Sequence, residues 1–83
     1  MAIIPAYNEE GSLEATIQEL IERTENVDFV VVNDGSTDRT REICIKNGYC
    51  FIDLPVNLGL TQGFRTGMKY ALKHNYKYVV QFD

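Results

Sequence analysis

Two carboxylates and one aromatic ring stand near the points where predicted strands end. Asp34 follows the apolar run of valines at 30–32, Tyr7 lies in an early polar loop, and Asp83 is the last residue. A flat ring such as Tyr7 can stack on a nucleobase, and a carboxylate can accept the ring N–H of the base. A second carboxylate can hold a ribose hydroxyl or help to position a divalent metal on phosphates. These residue types predict a nucleotide site if the fold brings them together.

Each of these residues also has an interpretation that involves no ligand. Asn33 and Asp34 are common turn residues, Tyr7 can cover a sheet edge, and Asp83 can be a polar terminus. Other kinds of site find no support, because the sequence has no GxGxxG or P-loop pattern and only one histidine. The two cysteines, Cys44 and Cys50, do not have the spacing of a metal site. We therefore assign no catalytic residue and no metal ligand within the chain.

The three valines predict a strand buried on both faces, because only a parallel strand covered on both sides lacks polar alternation. Gly35 permits a tight turn after it, and Ser36 or Thr37 is expected to cap the next helix. Pro5 is expected to end the first strand, since it has no N–H to donate. Strands are predicted at residues 2–5, 29–32, 49–52 and 78–82, and helices at 13–24, 37–47 and 60–75.

Strands that alternate with helices of about a dozen residues imply parallel strands joined by right-handed crossovers. We expect a three-layer α/β fold in which a doubly wound parallel sheet of four strands has the order 3-2-1-4, with three helices. This order places the loop from Pro5 to Glu9, the turn at Asp34, and Asp83 at one carboxyl edge of the sheet. Open α/β sheets bind their ligands at that edge.

Three glycines, Gly59, Gly63 and Gly67, recur every four residues along the third predicted helix. Glycine costs about 1 kcal/mol relative to alanine inside a helix, so a regular stripe needs a reason. A bare stripe lets the helix lie close to the sheet or to a bound ligand, and close packing is the preferred interpretation. Charged residues in the same segment exclude a membrane-spanning GxxxG dimer.

Length and composition limit the classes of protein. The 83 residues make one domain at most, with 45% hydrophobic residues and a formal net charge of −4. The absence of a Lys/Arg run argues against a nucleic-acid partner. No apolar stretch approaches the roughly 20 residues of a membrane span, and no signal peptide is recognisable. Cys44 and Cys50 are expected to be reduced thiols of a cytoplasmic protein.

Three signatures resemble those of family 2 nucleotide-sugar glycosyltransferases. Residues 3–10, Ile-Ile-Pro-Ala-Tyr-Asn-Glu-Glu, look like the opening strand and loop of that family, and residues 32–40, Val-Asn-Asp-Gly-Ser-Thr-Asp-Arg-Thr, resemble its second signature. Asn-Leu-Gly at 57–59 with the glycine-spaced helix resembles the third, and Gln-Phe-Asp at 81–83 resembles the approach to the Asp-x-Asp motif. The pattern is most similar to the polyprenyl-phosphate (dolichol-phosphate mannosyltransferase-like) branch.

The resemblance implies half of a glycosyltransferase A-type, Rossmann-like fold: residues 1–83 would be its nucleotide-sugar-binding part, truncated at the C-terminal end. Pro5, Tyr7 and Glu9 match the donor-nucleotide loop, and Asp34 matches the carboxylate that reads the base. Asp83 matches the first Asp of Asp-x-Asp, beside the ribose and the metal-bound diphosphate.

The parent enzyme would transfer a sugar from a nucleoside-diphosphate sugar to a polyprenyl phosphate or a growing saccharide. The resemblance implies a divalent metal, Mg²⁺ or Mn²⁺, whose main ligand lies beyond Asp83. This chain carries no membrane segment of its own, although such a parent could act at a membrane face. The 83-residue chain is expected to be inactive, because the resemblance places the second Asp and the general base beyond it.

Two other functions fit the same alternation of strands and helices. One is a non-catalytic nucleotide-binding or interaction module on the same half-sheet. The other is a flavodoxin- or receiver-like regulatory domain, which is less well supported because no paired acidic cluster follows the first strand. The last strand, residues 78–82, is rich in Tyr, Val and Phe and would be paired by further strands in a complete enzyme. In this chain we expect its outer edge to be open, which predicts self-association through that strand.

Overall fold

A computed structural model of the chain describes residues 1–82, so Asp83 lies outside the described residues. Strands and helices alternate in the order β1 (Ala2–Ala6), α1 (Leu13–Arg23), β2 (Phe29–Asp34), α2 (Thr40–Asn47), β3 (Phe51–Leu54), α3 (Leu60–Lys73) and β4 (Val80–Gln81). All strand pairs are parallel, and the order across the sheet is β3-β2-β1-β4. The predicted α/β fold and strand order are confirmed. No helix within residues 1–82 has the length and apolar character needed to cross a membrane.

The centre of the sheet is covered by helices on both faces. Val30, Val31 and Val32 of β2 are all 0% exposed, as predicted for a doubly covered strand. Val31 belongs to an apolar cluster with residues of α1 and α2, whereas Val30 and Val32 pack with residues of α3. The three layers are therefore α1 with α2, the sheet, and α3.

α3 approaches the sheet through its buried glycines. A Cβ atom on Gly67 would lie 2.6 Å from Cγ2 of Ile3, which is closer than real Cβ contacts. At Gly63 the nearest neighbour would be Cγ1 of Val32 at 3.8 Å, an ordinary contact. The prediction that the stripe serves close packing is confirmed at Gly67, whereas at Gly63, although it is buried, a methyl group would fit. Gly59 instead precedes the helix, with a left-handed φ of 92°.

α2 begins three residues later than predicted, and neither Ser36 nor Thr37 caps it. Oδ1 of Asp38 accepts hydrogen bonds from the backbone N–H of Thr40 at 2.9 Å and from its hydroxyl at 2.5 Å. Oγ of Ser36 accepts the N–H of Asn8 at 3.0 Å instead. The predicted cap is therefore wrong. The Ser36 side chain bonds to the loop after β1 instead, and spacing within one segment of the sequence does not reveal such a contact.

β3 lies two residues later than predicted. Gly48 ends α2 in the left-handed conformation, with φ 68°, and the N–H of Tyr49 donates to the carbonyl of Cys44 at 3.0 Å. Tyr49 therefore belongs to the end of the helix, and the strand begins only at Phe51. β4 is also shorter than predicted, since only Val80 and Gln81 pair with β1.

Pro5 lies within β1 and does not end it. The strand continues to Ala6, and Pro5 is opposite Val32 in the register with β2. The carbonyl of Ile3 accepts the N–H of Phe82 from the β4 side at 2.9 Å. Successive residues of a strand point their backbone groups to alternate sides, so the nitrogen of Pro5 also faces the β4 side, past the last pair of that ladder. Because the Pro5 nitrogen faces away from β2, its lack of an N–H removes no hydrogen bond between β1 and β2.

Candidate functional site

A cleft of ≈ 230 Å³ opens at the carboxyl edge of the sheet. It lies where β1 and β2 end side by side and where the chain enters α3; its lining residues are Pro5, Ala6, Tyr7, Glu9, Asp34, Asn57, Gly59 and Leu60. Four of the five predicted site residues line it: Pro5, Tyr7, Glu9 and Asp34. Asp83, the fifth, lies outside the described residues.

Asp34 is the last residue of β2 and only 6% exposed. Its Oδ1 accepts the backbone N–H of Leu58 at 2.7 Å, and its Oδ2 accepts that of Gly59 at 2.9 Å. The carboxylate therefore holds the loop that leads into α3. Each carboxylate oxygen has two acceptor sites, so both oxygens retain the capacity for one further hydrogen bond.

Tyr7 and Glu9 form the wall of the cleft on the β1 side. The Tyr7 side chain stands at the rim and is 46% exposed, which leaves its ring open to a planar ligand. Oε2 of Glu9 accepts the hydroxyl of Ser12 at 2.6 Å, and its carbonyl accepts the N–H of Leu13 at 2.8 Å. Glu9 is thus tied to the start of α1, and Tyr7 is the freer side chain.

Polar side chains that join the first loop to the second were not recognised as functional from the sequence. Asn8 bonds to the backbone of residues 37–38, and Oδ2 of Asp38 accepts the N–H of Glu10 at 3.2 Å. Partial desolvation raises the pKa of Asp38, but the hydrogen bonds from Thr40 and Glu10 outweigh it, and the net pKa is below its ordinary value. The available signal was their position within the signatures at residues 3–10 and 32–40.

A chain of hydrogen bonds runs from the buried Asn33 to exposed side chains of β3 and α2 and supports the end of β2. Asn33 is 2% exposed, and its Nδ2 donates to Oδ1 of Asp53 at 2.8 Å. Oδ2 of Asp53 accepts Nε of Arg41 at 2.9 Å. Oδ1 of Asn33 is buried without a hydrogen-bond partner in residues 1–82. This link between β2, β3 and α2 fixes the strand end that carries Asp34.

A family model described as "Glycosyl transferase family 2" matches residues 1–83. The chain belongs to glycosyl transferase family 2. It is 37% identical over 81 residues to an uncharacterised protein of Methanocaldococcus jannaschii, an alignment that covers 98% of this chain and 33% of that protein. It is 31% identical over 86 residues to a poly-beta-1,6-N-acetyl-D-glucosamine synthase of Staphylococcus aureus, covering 98% of this chain and 20% of that protein. The chain thus spans a third or less of the length of these relatives.

Membership of glycosyl transferase family 2 confirms the family resemblance of the signatures. The signatures also account for the cleft, because the first contributes Tyr7 and Glu9, the second Asp34, and the third Asn57 and Gly59. Asn57 and the start of α3 were not predicted as site residues. Their presence means that the third signature lines the cleft together with Tyr7.

The described part of this family 2 chain does not by itself form a metal site. Residues 1–82 contain no group of three His, Cys, Asp or Glu side chains that could hold an ion. The two carboxylates of the cleft, Glu9 and Asp34, already bind Ser12 and the backbone of the loop before α3. The resemblance places the main metal ligand beyond Asp83, and Asp83 itself lies outside the described residues.

Proposed function

We propose that this chain binds the nucleotide of a nucleoside-diphosphate-sugar donor for a glycosyltransferase. The observation that carries the proposal is a single cleft that combines the exposed Tyr7 ring with the Asp34 carboxylate. Tyr7 would stack on the base, and Asp34 would accept a base N–H with an acceptor site that Leu58 and Gly59 leave free. The carboxyl edge of a doubly wound sheet is where such ligands bind.

The charge of the cleft supports a divalent cation as companion of the diphosphate. The two ionisable acids that line it are Glu9 and Asp34, and neither Lys nor Arg is among the lining residues. A diphosphate needs a positive partner beside such a surface, and Mg²⁺ or Mn²⁺ is the partner that oxygen ligands and phosphates favour. The amino end of α3, where Gly59 and Leu60 line the cleft, adds a weaker attraction for negative charge.

In the reaction we propose for the parent enzyme, an acceptor hydroxyl or lipid phosphate attacks the anomeric carbon of the sugar and the nucleoside diphosphate leaves. The contribution of this chain is to bind and orient the donor, which lowers the entropic part of the barrier. A growing saccharide is one acceptor, supported by the similarity to a poly-beta-1,6-N-acetyl-D-glucosamine synthase. A polyprenyl phosphate is the alternative, supported by the motif resemblance. A cytoplasmic location is a further prediction.

The binding proposal is tested by titrating the ¹⁵N-labelled chain with uridine diphosphate and guanosine diphosphate. We expect weak, saturable shifts of amides in residues 5–9, 34 and 57–60, with Tyr7→Ala and Asp34→Ala as weakened variants. No shift with either nucleotide, with and without Mn²⁺, would contradict the proposal. A donor-hydrolysis assay with Mn²⁺ tests the companion expectation that the 83-residue chain binds donor without turnover, and sugar release would refute that expectation.

We also propose that the chain self-associates through β4. In the described residues β4 pairs with β1 alone, so its other edge is free; Val80 in β4 is 59% exposed, and Tyr78, two residues before it, is 82% exposed. An edge rich in apolar side chains is a template for pairing with another strand. The opposite edge, β3, carries the ion pair of Asp53 with Arg41, and charge on an edge discourages such pairing.

A further inference from the structure

Asn8 joins the loop after β1 to the loop after β2. Its Oδ1 accepts the backbone N–H of Thr37 at 2.8 Å and that of Asp38 at 3.3 Å. The backbone of Asn8 has φ 52°, in the left-handed region that most side chains avoid. Both features together direct the side chain across the gap between the loops.

The second loop returns hydrogen bonds to the first. The N–H of Asn8 donates to Oγ of Ser36 at 3.0 Å, and the next N–H, that of Glu9, donates to Oγ1 of Thr40 at 2.9 Å. The third consecutive N–H, that of Glu10, donates to Oδ2 of Asp38 at 3.2 Å. Residues 8–10 therefore have their backbone donors fixed by side chains of the second loop and of Thr40, the first residue of α2, although residues 8–10 themselves lie outside the strands and helices.

This bridge lies directly beside the residues of the cleft. Tyr7 precedes Asn8, Glu9 follows it, and both line the cleft, whereas the Asn8 side chain points to residues 37–38 instead. The Tyr7 side chain is 46% exposed, so its position depends strongly on its backbone. We propose that Asn8 is a positioning residue that holds Tyr7 and Glu9 in place for the donor nucleotide. The proposal rests on the proposed function and adds a residue to which no role was assigned.

The requirement at position 8 is specific, which makes the proposal testable by three substitutions. Asparagine tolerates the left-handed conformation and supplies an acceptor oxygen. Asn8→Asp keeps both properties, Asn8→Gly keeps only the backbone conformation, and Asn8→Ala keeps neither. Asn26, in the loop before β2 at the opposite end of that strand, has nearly the same φ of 53°. Asn26→Ala is therefore a matched control for backbone strain away from the cleft.

The experiment measures nucleotide affinity and amide hydrogen exchange on the 83-residue chain and each variant, with uridine and guanosine diphosphates as probes. We expect Asn8→Gly and Asn8→Ala to weaken binding about tenfold, the size of one lost hydrogen bond, and to speed exchange at Thr37 and Asp38. Asn8→Asp should restore most of the affinity and protection, and Asn26→Ala should leave both unchanged.

The outcomes separate this inference from the proposed function. Wild-type affinity in a folded Asn8→Gly variant would overturn the positioning role while leaving nucleotide binding intact. If Asn8→Ala does not fold, the Asn8→Gly variant tests the positioning role, because glycine adopts the left-handed conformation without strain. If the wild type binds no nucleotide, both the proposed function and the positioning role of Asn8 are overturned, even if the amides of Thr37 and Asp38 are protected from exchange. Equal losses in Asn8→Asp and Asn8→Ala would also refute the role of the acceptor oxygen.

Discussion

Gly35 lies directly against the backbone of Asn57. A Cβ atom on residue 35 would overlap the nitrogen of Asn57 and the carbonyl carbon of Val56, and the φ of Gly35 is 69°. The preceding residue, Asp34, binds the same loop through its carboxylate at Leu58 and Gly59. Two consecutive residues at the end of β2 therefore fix the wall of the cleft in different ways, one by close approach and one by hydrogen bonds.

Gly35→Ala should be far more destabilising than Gly48→Ala. Both glycines have φ near 70°, where alanine costs about 1–2 kcal/mol, but the space around Gly48 is open. At Gly35 the added methyl also meets backbone, so we expect a total loss of roughly 2–5 kcal/mol. Urea denaturation of the two variants measures the difference. Equal losses would show that the loop at Val56 and Asn57 does not lie against Gly35.

Asp34→Ala should destabilise the chain even without nucleotide. The substitution leaves the N–H groups of Leu58 and Gly59 without their acceptor, at a cost of about 1–3 kcal/mol. Hydrogen exchange at these two amides and the urea midpoint measure the effect. Asp34→Asn keeps one acceptor oxygen and should lose less. Unchanged protection of both amides in Asp34→Ala would contradict the hydrogen bonds from Leu58 and Gly59 to Asp34. Equal nucleotide-induced shifts in wild type and variant would show that Asp34 does not take part in base recognition.

The two buried glycines of α3 should respond in opposite directions to alanine. Gly67→Ala would push a methyl group into Ile3, which is fully buried, and should cost about 1–3 kcal/mol through overpacking. Gly63→Ala meets only Val32 at 3.8 Å and should gain up to about 1 kcal/mol from helix propensity. The thermal or urea midpoints of the pair test this. A tolerated Gly67→Ala would mean that α3 lies farther from β1.

Stability should fall in the alkaline range partly because of Cys44. Burial, with the nearby charge of Asp53, raises the pKa of this thiol from 9.0 to about 11. The unfolded chain loses the proton near pH 9 while the folded chain keeps it, so this contribution is intact below pH 9 and is lost as the pH rises toward 11. Unfolding midpoints between pH 8 and 10.5 measure it.

The control for that prediction is Cys44→Ala, whose alkaline decline should be shallower than that of the wild type. The pKa values of Tyr49, Tyr70 and Tyr76 are also raised, so the difference between variant and wild type is the informative quantity. Thiol labelling at pH 8 gives a second measurement: exposed Cys50 should react quickly and buried Cys44 only on unfolding. Rapid labelling of Cys44 in the folded chain would refute the assignment.

Self-association through β4 should disappear when charge is placed on its edge. Val80→Lys adds an ammonium group to an exposed strand position, whereas Ile21→Lys makes a similar change at a 51% exposed position on α1. Sedimentation velocity at several concentrations should show association in the wild type and in Ile21→Lys but not in Val80→Lys. A wild type that stays monomeric at every concentration would contradict the proposal.

The elements that could be predicted from the sequence are those with strong local patterns. The spacing of Leu13, Ile17 and Leu20 predicted α1 to within one residue at its end, and all three are buried. The valine run predicted β2 as the covered strand, and the alternation of elements predicted the sheet order. Ile21 lies next to Leu20 in the same helix but is 51% exposed, so the buried face of α1 is limited to Leu13, Ile17 and Leu20.

The parts of the site that were not predicted depend on contacts between distant loops. Asn8, Ser36 and Asp38 form hydrogen bonds between the two loops, so Ser36 does not cap α2 as predicted. Local sequence patterns do not give the relative position of two neighbouring loops. The engagement of Asp34 with the loop before α3 likewise joins residues far apart in sequence. The predicted binding roles of Pro5, Tyr7, Glu9 and Asp34 stay predictions that the titration tests.

The register of β4 with β1 has a consequence for the order of folding. Ala2 and Ile3 pair with Val80 and Gln81, so the contact between β1 and the edge strand β4 joins the two ends of the described chain. Closing so long a loop costs conformational entropy that contacts between residues near in sequence do not offset. Strand pairings of this kind therefore form late in folding. During synthesis β1 can meet β2 early but must wait for almost the whole segment to emerge before its second edge is covered. Until then the second edge of β1 is open to wrong pairing, although β1 is largely buried once folding is complete.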